Sequence, residues 1–208
     1  MGGRTKTKKV LENPSLKKHA PQLSEAGEYN RQKVESILRR RESLDSAREL
    51  IGWDIVAATP EGVQRVRITK TRSFSGIGKS TTNRDGISRE AGHVYIMKHR
   101  AAKFLNITTG RSGQESCVWI EEAADLKTGK TLKSNQLLKT LGLHESDGVA
   151  ILTDKTTLVP GAKPDDVKRL SPSAERASTN TTGVFQGVFS GNDQILADIR
   201  AAYESYTG

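Results

Sequence analysis

Glycine amides followed by a lysine can cradle a phosphate, and Ser75-Gly-Ile-Gly-Lys-Ser80 offers that chemistry. A full phosphate loop needs another glycine at position 73, where Ser73 stands, and Thr81-Thr-Asn-Arg-Asp-Gly86 does not open a helix with an apolar face. The stretch therefore reads as a flexible basic loop. The four histidines, at 19, 93, 99 and 144, are dispersed. His93 and His99 share strand parity but would sit roughly 20 Å apart at about 3.3 Å per residue, too far for one metal ion. Cys117, the single cysteine, lies in the apolar run Cys117-Val-Trp-Ile120 and reads as a small buried strand residue. It allows neither an intrachain disulfide nor a thiolate metal cluster. No Ser, His and acid trio is suggested by local spacing. The expectation is a non-enzymatic protein with no catalytic residue, no metal and no cofactor.

What the sequence does supply is cationic chemistry. Its 208 residues carry a net charge of +9, and the charge is segregated. In residues 1–22, Arg4, Lys6, Lys8, Lys9, Lys17 and Lys18 stand against Glu12 alone. Between residues 61 and 103, ten basic residues oppose three acidic ones: Arg65, Arg67, Lys70, Arg72, Lys79, Arg84, Arg89, Lys98, Arg100 and Lys103. These two regions exceed the whole chain's surplus, so the rest is net negative. A merely solvated surface would intersperse the signs, whereas phosphate neutralisation gathers cations and gains affinity by releasing counterions. The sixteen cations named here are the candidate nucleic-acid contacts, with Arg39-Arg40-Arg41 as a further one. Within 61–103 the only aromatics are Phe74 and Tyr95, so the sequence points to backbone contact and not to base stacking.

Several elements must position these residues. Hydrophobic residues make up 34% of the chain and aromatics 5%, low enough that part of it must lie outside any core. Residues 1–22, basic and interrupted by Pro14 and Pro21, read as an extended arm. From Ser24, the positions Val34, Ile37, Leu38, Leu44 and Ile51 return on a helical period that stops at Gly52, with a break near Ser43. Trp53–Ala58, the turn Thr59-Pro-Glu-Gly62 and Val63–Thr69 predict a β-hairpin with Val66 and Ile68 on one face and Arg65 and Arg67 on the other. A long loop follows from Ser73 to Gly92. Strands are expected at His93–Met97, Lys103–Ile107 and Cys117–Glu122, and a turn at Lys127-Thr-Gly-Lys130. A short helix capped by Ser134 should run to Leu141 and stop at Gly142. Val149–Thr153 and Thr156–Val159 predict a second hairpin. Residues 160–191, rich in Pro, Ser and Thr, read as a linker. Residues 192–208 form an amphipathic helix whose stripe of Ile195, Leu196, Ile199 and Tyr203 must pack on the sheet or on a neighbouring subunit.

Some of these pieces resemble known families. Gly92-His-Val-Tyr-Ile96 followed by Phe104-Leu-Asn-Ile107 resembles the paired strands of the GIY-YIG nucleases, although the second half lacks that family's Tyr and Gly. Asp125-Leu-Lys127 is similar to the carboxylate and lysine end of a restriction-type magnesium site. Gln136-Leu-Leu-Lys-Thr-Leu-Gly142 resembles the first half of a helix-turn-helix, and its wider context, residues 128–160, is similar to AbrB-type swapped-hairpin regulators. These resemblances imply two alternatives: a small metal-dependent nuclease or a sequence-specific DNA-binding regulator.

The fold expected is α+β: a basic arm (1–22), then a core domain (23–159) with an N-terminal helical segment and a mostly antiparallel sheet, then the linker and the C-terminal helix. The expected function is structural binding of nucleic acid, DNA or RNA, through its backbone. The setting would be a self-assembling particle such as a viral capsid, nucleoprotein or ribonucleoprotein. No apolar run reaches the roughly 18 residues of a membrane span, and Met-Gly-Gly-Arg-Thr-Lys lacks a signal peptide's apolar stretch. The expected location is therefore the cytoplasm or a virion, without membrane attachment or secretion.

Overall fold

The computed structural model describes residues 33–39, 43–75, 91–110, 116–144, 156–171 and 181–189. The long strand β2 (Gly62–Phe74) organises them. It pairs along residues 66–74 with β5 (Ser116–Asp125), and its opposite edge is shared. There β1 (Asp54–Thr59) takes residues 62–67 and β9 (Thr181–Val188) takes residues 70–74. β5 branches in the same manner, with β4 (Ala102–Thr109) beside residues 116–120 and β6 (Thr131–Lys133) beside 122–124. β3 (Val94–His99), β7 (Thr156–Val159) and β8 (Asp166–Leu170) add to β4, β1 and β9, completing a mostly antiparallel half-barrel of nine strands.

One face of the sheet is closed by helices. Val66, Ile68, Leu105, Ile107 and Ile120 lie buried beneath α1 (residues 33–38), α2 (Ser43–Glu49) and α3 (Ser134–Thr140). Burial of each such side chain contributes about 1.5–3 kcal/mol. Polar bonds fix the helices in place: Ser46 Oγ donates to the Ile37 carbonyl (2.8 Å), Thr71 Oγ1 to the Ala47 carbonyl (2.8 Å) and the Gly110 amide to the Leu38 carbonyl (2.7 Å). β9 runs close under this layer because it carries glycine where a side chain would collide. A Cβ at Gly183 would stand 2.5 Å from Leu44 Cδ1, and one at Gly187 2.6 Å from Ile51 Cγ2.

The predicted β1–β2 hairpin, the strands at 94–99, 102–109 and 116–125 and the short helix before Gly142 are present, all longer than or close to their expected spans. Ser134 is not the cap, however. It is the first helical residue, with φ +45°, and the cap position is Lys133, whose side chain makes no capping bond. Ser73 does not open the loop either, since β2 continues through Phe74 and Ser73 is buried within it. Residues 160–191 hold β8 and β9 where a linker was expected, because the β-prone Thr181-Thr-Gly-Val-Phe185 supplies a strand that β2's open edge accepts. The arm, the predicted strand 149–153 and the C-terminal helix lie outside the described residues. No helix among the described residues is long and apolar enough to cross a membrane.

Candidate nucleic-acid interface

Arg65, Arg67, Lys70 and Arg72 all emerge on the face opposite the helices. Strict alternation would not achieve this. An irregularity in the β2–β5 register around Lys70 shifts the parity, so that Thr71 and Ser73 continue the core face begun by Val66 and Ile68. The consequence is that all four cations share one face.

Carboxylates from other strands meet these cations. Asp54, fully buried at the start of β1, accepts from Arg67 Nε at 2.8 Å and Arg67 Nη2 at 3.2 Å, and from Arg65 Nε at 2.7 Å. Further along, Arg72 Nε donates to Glu121 Oε1 at 2.6 Å, and the side chains of both are only 4% exposed. Lys70 Nζ lies 3.4 Å from Glu121 and 3.7 Å from Glu122, and Lys133 Nζ lies 2.9 Å from Glu122. These pairs hold the cations rigidly and offset much of their charge. Breaking a buried pair by removing one partner costs about 3–5 kcal/mol, so Arg67 and Arg72 have a structural duty that composition did not reveal.

The β3–β4 hairpin differs. Residues 91–110 contain Lys98, Arg100 and Lys103 and not one Asp or Glu. Its tip is a two-residue turn in which Arg100, exposed, adopts φ +56°, a left-handed conformation unfavourable for a residue with a side chain. Asn135 of α3 enforces the turn: its Oδ1 accepts from the Lys103 amide (2.8 Å), and its Nδ2 donates to the Ala101 carbonyl (3.0 Å). A two-residue hairpin turn calls for such a left-handed residue, and the Asn135 bonds hold the turn in place.

No protein-family model matches the chain, and no curated protein is detectably similar to it.

The remaining candidates divide clearly. Lys79, Arg84, Arg89, the six arm cations and Ile195, Leu196, Ile199 and Tyr203 lie outside the described residues, as do Arg40 and Arg41. Arg39 makes an exposed helical ion pair with Glu35 at 3.6 Å. Asp125, part of the restriction-like pattern, spends both carboxylate oxygens on its own turn, accepting from the Lys127 amide (2.9 Å) and Thr128 Oγ1 (2.6 Å). Among the described residues no three His, Cys, Asp or Glu side chains gather as metal ligands would. Cys117 is buried in β5, where loss of hydration pushes its thiol pKa up to about 12.

Sequence reading missed the aromatic content of the face. Phe104 of β4 and Trp119 of β5 meet edge to face with centroids 4.7 Å apart, and the Arg72 guanidinium lies 5.3 Å from the centre of the Trp119 ring. Tyr95, Phe74, Met97 and Cys117 cluster nearby. Register explains the assembly: Tyr95, Asn106, Trp119, Arg72, Val184 and Leu170 are successive partners across six strands.

Proposed function

We propose that the protein binds nucleic acid without catalysis, mainly through the phosphate backbone, as a structural component of a larger assembly such as a capsid or nucleoprotein particle. The observation that carries this reading is the segregation of charge, with cations gathered in the arm and in residues 61–103 of a chain that is otherwise net negative. The exposed Arg100 on its clamped turn supports it. So does the cationic surplus along β2 and β6, where Arg65, Arg67, Lys70, Arg72 and Lys133 outnumber Asp54, Glu121 and Glu122. The apolar residues Ile195, Leu196, Ile199 and Tyr203, whose spacing in the sequence is helical, would provide the contact between subunits.

Salt titration tests this reading. Log affinity for nucleic acid should fall linearly with log salt, with a slope of roughly 0.9 per phosphate contacted on a duplex. Deleting residues 1–22 should flatten that slope. Absence of binding at low salt would refute the proposal. The assembly part has its own test: Ile199→Asp should reduce the native mass of the particle while leaving a folded protein.

A further inference from the structure

We propose that the sheet face opposite the helices is a docking surface for single-stranded nucleic acid, with a base against the Phe104–Trp119 pair and phosphates along Lys70 and Lys168. This rests on the nucleic-acid reading above and adds to it a site, a strandedness and a mode of contact.

Three observations meet at this face. The first is the aromatic pair, neither ring of which is fully buried. Unpaired bases stack on such rings whatever their identity, because every base has a π-face. A duplex keeps those faces inside its own stack and would offer the rings only its backbone. The second is charge beside the rings. Lys70, Gln186 and Lys168 are successive partners on β2, β9 and β8, which puts the two lysines about 10 Å apart at the usual strand spacing. With Arg72 they are three cations against Glu121 and Glu122, the carboxylates that meet Lys70 and Arg72, and the surplus favours an anionic polymer over a basic peptide. The third is an orphan donor. Trp119 Nε1 is buried and has no hydrogen-bond partner among the described residues. Buried donors are rarely left unmet, and because this one is closed to solvent, an incoming base carbonyl or phosphate oxygen would meet it only as the indole turns outward on docking.

The 208-residue chain carries two tryptophans, and Trp53 is buried on the helix side. In a Trp53→Phe background, Trp119 becomes the only indole reporter. Titration with poly(dT) should quench its emission, while a duplex of equal length should bind without comparable quenching. Phe104→Ala should lower poly(dT) affinity roughly 5- to 150-fold, the range that stacking of one base supplies, and leave duplex affinity nearly unchanged. Lys168→Glu, at an exposed position of β8, should weaken poly(dT) binding with the melting temperature preserved, and so guards against misfolding of the aromatic variant. Binding of poly(dT) without quenching, or equal weakening of both polymers by Phe104→Ala, would overturn this inference and leave backbone binding standing. Failure of either polymer to bind at low salt would remove the functional reading itself.

Discussion

Strand β2 and the β3–β4 hairpin look alike as composition, since each is a short, markedly basic stretch, yet they use their cations oppositely. On β2 the guanidinium groups of Arg65, Arg67 and Arg72 lie within 2.8 Å of carboxylates brought from β1 and β5, and they hold the sheet together. The hairpin has no carboxylate of its own and offers Arg100 to solvent on a strained, clamped turn. The difference teaches that a charge count over a window of sequence measures supply and not availability. Glu121 stands 49 positions from Arg72, far outside any such window.

The largest effect on stability is expected from Arg72→Met. It leaves Glu121 buried beside Lys70 alone, and the loss of unfolding free energy in urea should be about 3–5 kcal/mol. Adding Glu121→Leu should recover much of that loss, because the orphaned charge goes with it. If Arg72→Met proved as mild as a substitution at Arg100, the two regions would not differ in kind.

Alkaline titration comes next. Cys117 borders the same face, and its folded pKa of about 12 exceeds the ordinary thiol value of 9.0. Burial favours the neutral thiol, so the associated stability is complete below pH 9 and is lost as pH rises toward 12. Each pH unit in that window should cost about 1.4 kcal/mol. The measurement is wild type against Cys117→Ala, which should lack this component.

Arg100→Gly should move in the other direction. Relief of the left-handed strain should raise stability by a few tenths to about 1 kcal/mol, while nucleic-acid affinity falls. A gain in stability with no loss of affinity would mean that the turn serves folding alone. Smallest in stability, at about 0.5 kcal/mol or less, should be Lys98→Gln combined with Lys103→Gln. Its effect belongs in the salt dependence of binding, whose slope should fall by roughly 0.9 for each phosphate that is no longer neutralised.

Much of the sheet is legible from the sequence because its signals are local. The turn Thr59-Pro-Glu-Gly62 and the alternation of Val66 and Ile68 announce the β1–β2 hairpin within a dozen residues. β8 and β9 escape such a reading because Pro, Ser and Thr between 160 and 191 carry the composition of a linker, and what makes Thr181–Val188 a strand is an edge of β2 more than a hundred positions away. The candidate site is legible only in part for the same reason. Arg65 to Arg72 stand out as a basic run, but the parity shift at Lys70 that places all four cations on one face arises from pairing with β5. Phe104 and Trp119 sit in separate segments of sequence, and only the β4–β5 register makes them neighbours.

The branched edge of β2 also has a consequence for how the protein is made. During synthesis β1 and β5 can zip onto β2 as soon as residue 125 has left the ribosome, but residues 70–74 keep one side open until Thr181–Val188 has been added. For that interval the nascent chain carries a ready-made template for pairing with another copy of itself. Ribosomes translating one message in close file would hold several such edges near each other, so a pause after residue 125 has emerged and before Val188 has is when this edge is most exposed to pairing with another copy.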